Sequence, residues 1–138
     1  MVGATVETLD LMLPASPSSV AEARHELTAY AERCGWYDLW PVKVAVSEAV
    51  GNAVVHAYPD GSGRDHVRIR AHLDQGRLLV SIEDDGVGMR PRIDSPGLGI
   101  GISLIQRLTD RLVMKERSEG GVQVELCFAR HAGQDACA

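Results

Sequence analysis

The 138 residues are 45% hydrophobic and 24% charged with a net charge of −5, a composition that suits one domain able to bury a core of its own. No apolar run approaches the ~20 residues of a membrane span, and the lysines and arginines form no clustered basic tract of the kind that direct nucleic-acid binding relies on. Cys34, Cys127 and Cys137 are odd in number and lack CxxC spacing, so they indicate neither a disulfide frame nor a zinc site.

The amino terminus carries no basic segment followed by an apolar signal core, so a cytoplasmic location is expected. Residues 5–13 alternate loosely and stop at Pro14, the pattern of a first strand at a sheet edge. Ser16 is placed to cap a helix with Pro17 at its first position. Val20, Ala23, Leu27, Tyr30, Ala31 and Cys34 form the apolar stripe of that helix, and Gly35 ends it. Asp38 can cap a second helix, with Pro41 in its first turn, that stops before Pro59, Gly61 and Gly63.

The second helix holds residues 42–57, VKVAVSEAVGNAVVHA, and has two faces. Val46, Ala49, Val50, Ala53 and Ala57 recur at helical spacing and can bury a stripe. Glu48, Asn52 and His56 follow one another at intervals of four, so they project within one arc of roughly 80°. A carboxylate and an amide one turn apart suit a base beside a metal-holding oxygen, or a hydrogen-bonding role in the core.

Strands dominate the second half. Val67, Ile69, Ala71 and Leu73 share a face, as do Leu78, Val80 and Ile82, and later Val122, Val124, Leu126 and Phe128. Arg68, Arg70, His72, Ser81, Glu83, Gln123 and Glu125 fall on the opposite faces, so the sheet buries one side and the helices gather there. DQG at 74–76 and EGG at 119–121 supply the glycines of tight hairpins. The expected architecture is a two-layer α/β (α+β) sandwich with a mostly antiparallel mixed sheet, one domain over 1–130, and a disordered tail at 131–138.

The strand at 78–84 runs into DDGVGM, and its register turns Asp84 to the buried side with Val80 and Ile82. An ionised carboxylate there is costly without a donor. Gly86 and Gly88 permit a positive-φ turn and a close approach to the backbone, so Asp84 either braces that turn or meets a ligand. Gly97, Gly99 and Gly101 then precede an apolar helix, whose unpaired N–H groups and dipole can cradle an anion. This is neither a Walker loop, since no GK[ST] follows, nor a dinucleotide fingerprint, since no strand leads directly into the turn.

ExxxN on a helix, DxGxG after a strand and GxGxG before a helix, in this order, resemble the ATP-binding fold shared by gyrase, the heat-shock chaperones, histidine kinases and mismatch-repair ATPases (the GHKL or Bergerat fold). The wording VAVSEAVGNAVVHAY and the short chain look most like the anti-sigma factor serine/threonine kinases of bacteria, and the resemblance runs from the first strand to about Ala129. It implies that Asn52 coordinates Mg²⁺ on the phosphates of ATP and that Glu48 is the base for an attacking serine. It implies further that Asp84 accepts from the adenine amino group, that Gly86 and Gly88 let the purine sit close, that Gly99 and Gly101 lend N–H groups to the phosphates, and that Gly97 hinges the lid. The partners implied are a sigma factor and an anti-sigma-factor antagonist, in a homodimer. The loop from Met89 to Pro96 is short for such a lid, and Val122 stands where the superfamily often has Thr. Arg90 and Arg92 read as solvated loop residues or as γ-phosphate contacts, and His56 as a structural hydrogen-bonder rather than a catalyst. A nucleotide-gated binding module without phosphoryl transfer is the alternative reading. A sensor histidine kinase is disfavoured, since no room is left for a helical hairpin bearing a phosphoacceptor.

Overall fold

Strand alternation builds the sheet. The structure, a computed structural model, describes residues 7–57, 66–84, 98–118 and 120–130, without the side chains of residues 56, 57 and 98–101. Strands β1 (Leu9–Pro14), β2 (His66–Asp74), β3 (Arg77–Asp84), β4 (Arg111–Glu116) and β5 (Val122–Ala129) form one sheet in the order β1-β2-β3-β5-β4. All four neighbouring pairs are antiparallel, so the sheet is antiparallel throughout these strands rather than mixed. Val67, Ile69 and Ala71 on β2 and Leu78, Val80 and Ile82 on β3 are buried, and in the β2–β3 register Ile69 faces Ile82 while Ala71 faces Val80. The alternate residues form the outer face, where Arg68 grips Asp10 through two bonds of 3.0 and 2.7 Å and holds its carboxyl below the usual carboxylate range.

Three helices cover the apolar face: α1 (Ser18–Arg33), α2 (Leu39–Ala57) and α3 (Leu98–Leu108). The middle one, α2, packs against both of the others and against β2, β3 and β5. Its buried stripe runs Val42, Ala45, Val46, Ala49, Val50 and Ala53, and the small side chains let its backbone come close to its neighbours. Leu27 and Tyr30 of α1 are fully buried, and each such apolar side chain contributes about 1.5–3 kcal/mol relative to exposure. Tyr30 spends its hydroxyl on the Glu7 carbonyl at 2.7 Å, and burial pushes its phenol above the usual range.

The boundaries have local causes. At the start of α1 the Ser16 hydroxyl does not cap. It lies 3.0 Å from the Ser18 hydroxyl, while the Ser16 carbonyl accepts from the Ser19 N–H and the helix begins at Ser18. The other end closes as expected at Gly35, with φ of +82°. Gly35 N–H bonds the Glu32 carbonyl at 3.0 Å and Trp36 N–H bonds the Ala31 carbonyl at 2.8 Å, the two bonds of a Schellman cap. Trp36 is thereby buried at 1% exposure, with the Arg130 guanidinium 5.2 Å above its ring. Asp74 pairs with Arg77 across Gln75 and Gly76, both of positive φ, which is the two-residue hairpin expected from DQG.

The largest departure from expectation follows α3. The sequence reading names no strand after the last helix, but α3 stops at Leu108 and residues 111–116 form the edge strand β4. Thr109 turns its hydroxyl back onto the Ile105 carbonyl, and Asp110 then joins the sheet, its N–H on the Cys127 carbonyl and its carboxylate accepting from the Ala129 N–H.

Two glycines make opposite predictions. A Cβ on Gly35 would meet nothing nearer than Arg130 at 3.9 Å, so Gly35→Ala pays only for its left-handed backbone and should lose about 1 kcal/mol. A Cβ on Gly51, inside α2, would meet nothing within 4 Å, so Gly51→Ala should gain about 0.5–1 kcal/mol from helix propensity. Urea unfolding of the two variants checks both signs, and an unshifted midpoint for Gly35→Ala would contradict the cap.

Candidate functional site

Between α2, α3 and the β3–β5–β4 half of the sheet lies a cleft whose walls are almost entirely apolar, including Ile82, Ile105 and Val124. Asn52 of α2 and Asp84 of β3 both line it. Asn52 reaches it because it shares a helix face with Ala49 and Ala53, whose short side chains leave the floor open. Asp84 reaches it through strand parity, as the next inward residue after Val80 and Ile82, and it is 4% exposed. As it stands the cleft has about 30 Å³ of space, room for about one or two waters, so it would have to widen to take a planar ligand.

The cost of a buried carboxylate is offset in part by the hairpin between β4 and β5. The Val122 N–H donates to Asp84 Oδ1 at 3.3 Å, and the Arg117 guanidinium donates to the Asp84 carbonyl at 2.9 Å. Arg117 also lies 3.9 Å from Glu83, whose carboxylate takes a bond from Arg70 on the outer face of the sheet. Neither Arg117 nor the Val122 amide stands out in the sequence. The absence of Thr at position 122 suggests a lost polar contact, yet the main-chain N–H supplies one whatever the side chain, and an arginine ahead of a glycine turn carries no signature of its own.

Glu48 sits one turn before Asn52 on α2, half-buried and off the cleft lining. Gly99 and Gly101 do not precede the last helix but lie in its first turn, because α3 already begins at Leu98. The N–H groups of its first four residues have no partner within the helix, so a cradle formed by them would lie one turn earlier than the glycine spacing suggests. Gly86, Gly88 and Gly97, with Arg90 and Arg92, lie outside the described residues, as does the His56 side chain. Among the described residues no group of three or more His, Cys, Asp or Glu could hold a metal ion, and no helix is long and apolar enough to cross a membrane.

Comparison with known proteins adds an independent line. The family model of the histidine kinase-like ATPase domain matches residues 13–128, a span that includes all three helices and the cleft. The chain is 31% identical over 139 residues to the serine-protein kinase RsbW of Bacillus velezensis, covering 88% of this chain and 85% of that protein. It is 30% identical over 129 residues to the serine-protein kinase RsbW of Halalkalibacterium halodurans, covering 81% and 78%. Similarity extends to the anti-sigma F factor of Bacillus licheniformis, 28% identical over 102 residues and covering 64% and 68%.

Proposed function

This chain belongs to the family of histidine kinase-like ATPase domains, and on that premise we propose that it is an ATP-dependent serine kinase that also acts as an anti-sigma factor. The observation that carries the reading is the meeting of Asn52 and the buried Asp84 in one apolar cleft beside the amino end of α3. Its reach to substrate rests on relatives that are serine-protein kinases and an anti-sigma factor by name.

An apolar slot with a single carboxylate at its end suits a purine bearing an amino group. The ring replaces water against Ile82 and Val124, and the amino group gives Asp84 a further donor beside the Val122 N–H. The first-turn amides of α3, Gly99 and Gly101 among them, suit the phosphates. Gly86 and Gly88 belong to the purine side and Gly97 to the lid in the same reading. Asn52 would offer one amide oxygen to Mg²⁺, which fits a site without a carboxylate cluster, since this cation keeps several waters and takes its remaining oxygens from phosphates. Bound there, the ion supplies charge neutralisation along the phosphates. Glu48, one turn away, would accept the proton of the serine hydroxyl as that oxygen bonds to the γ-phosphorus and the bond to the β-phosphate oxygen breaks, leaving ADP. The phosphorylated serine belongs to an antagonist protein, and the same chain sequesters a sigma factor in the cytoplasm.

A homodimer completes the proposal. The outer face of the sheet holds a groove of about 600 Å³ bordered by Asp10, Arg70, His72, Arg111, Lys115 and Glu125. A two-fold axis sets one patch against itself, and a patch of both signs can then pair across the axis.

Nucleotide binding comes first among the tests. ADP or ATP with Mg²⁺ at a hundredfold excess over its dissociation constant should add about 2.7 kcal/mol of stability, and Asp84→Asn should lose about 1–3 kcal/mol of nucleotide affinity. A melting temperature unmoved by millimolar nucleotide would remove the basis of the reading. Glu48→Gln should bind ATP nearly as well as the wild type but transfer phosphate roughly 10² to 10⁴ times more slowly, whereas Asn52→Ala should weaken Mg²⁺–ATP binding itself. Labelled-phosphate transfer to candidate antagonists measures both. A wild type that binds sigma factor in a nucleotide-dependent way and transfers nothing would make the chain a gated binding module instead. Sedimentation equilibrium should give the mass of a dimer, and Arg111→Glu should weaken association roughly tenfold or more; a wild-type monomer at high concentration would refute the dimer.

A further inference from the structure

The purine reading leaves Arg117 without a role, although its guanidinium touches the main chain of the residue that faces the cleft. The β3–β5 ladder runs from Arg77 opposite Ala129 to Glu83 opposite Gln123 and stops one residue short of Asp84. Among the described residues Asp84 is held on its β5 side by contacts outside the ladder, the Val122 N–H on its carboxylate and the Arg117 guanidinium on its carbonyl. Both come from one hairpin, closed by Arg117 N–H on the Gly121 carbonyl at 2.9 Å and Gly120 N–H on the Arg117 carbonyl at 3.0 Å. The guanidinium is held in its turn. It is 23% exposed and lies beside Glu83, which is 11% exposed and bonded from the other side by Arg70.

We propose that Arg117 is a positioning residue: by holding the Asp84 carbonyl it anchors the end of β3 from which the Asp84 carboxylate projects, and so sets the preference for 6-amino over 6-oxo purines. The chemistry of the difference is simple. An adenine amino group donates to the carboxylate, whereas the carbonyl of hypoxanthine turns a second acceptor toward it. The preference depends on the angle at which the carboxylate meets the ring edge, because hydrogen bonds weaken steeply off line. Stacking and phosphate contacts are common to both purines and do not depend on that angle.

The inference rests on Asp84 as the purine acceptor, and the test separates the two ideas. Titrate wild type and Arg117→Met with ADP and with IDP, each with Mg²⁺, by calorimetry. The wild type should favour ADP by roughly tenfold or more; equal affinities there would refute the role of Asp84 itself. In Arg117→Met the ADP affinity should fall roughly tenfold while that for IDP stays within about twofold, so that the preference collapses. An intact preference, or equal weakening of both nucleotides, would overturn the proposal, the second outcome meaning that Arg117 only braces the hairpin. Arg117→Lys can still donate to the carbonyl and should recover part of the preference, and it carries the same comparison should Arg117→Met fail to fold. Arg70→Met removes the outer bond to Glu83 without touching Asp84 and should keep most of the preference.

Discussion

A carboxylate at the inward end of a central strand is the constraint around which this domain is arranged. Strand parity gives Asp84 no choice of side, because Val80 and Ile82 must face the core. Removed from water, a carboxylate has to be met by donors, and one of them, the Val122 N–H, comes from a hairpin that is distant in sequence. The β4–β5 turn therefore does more than reverse the chain: it delivers an amide and a guanidinium to β3.

The helix α2 answers a related problem. It must bury a stripe against the sheet, pack between two other helices and still present the Asn52 side chain at a wall of the cleft. Alanines at 49 and 53 make this possible, since bulkier side chains would fill the space that Asn52 borders. Val46, Val50 and Val54, interleaved with them, are buried in the core and do not line the cleft, so packing and an open site are divided between neighbouring positions of one helix.

Much of this was legible in the residues because it follows from periodicity. The alternation of β2, β3 and β5, the stripes of α1 and α2, the stop at Gly35, the hairpin at Gln75–Gly76 and the inward direction of Asp84 each need only a period of two or 3.6 and the special torsions of glycine. What escaped lacks such a signal. β4 is an edge strand in which Leu112 and Val113 are both half-buried, so no clean alternation marks it, and its leucine and valine extend the stripe of α3. The Ser16 hydroxyl had a choice of partners, and Ser18 won. Arg117 and the Val122 amide matter only through contacts made across the sheet, 33 and 38 residues from Asp84, and local patterning carries nothing of them.

The two edges of the sheet have a bearing on solubility. Strand order places β1 and β4 at the rims, where unpaired N–H and C=O groups could recruit strands from other molecules and grow into fibrils. Each rim is only six residues long. β1 ends in Pro14, which has no N–H to offer, and β4 carries the charged residues Arg111, Lys115 and Glu116, which blunt an edge. Growth by adding strands is thus discouraged at both ends of the sheet, and an extended chain released by a neighbouring unfolded molecule finds little to template on.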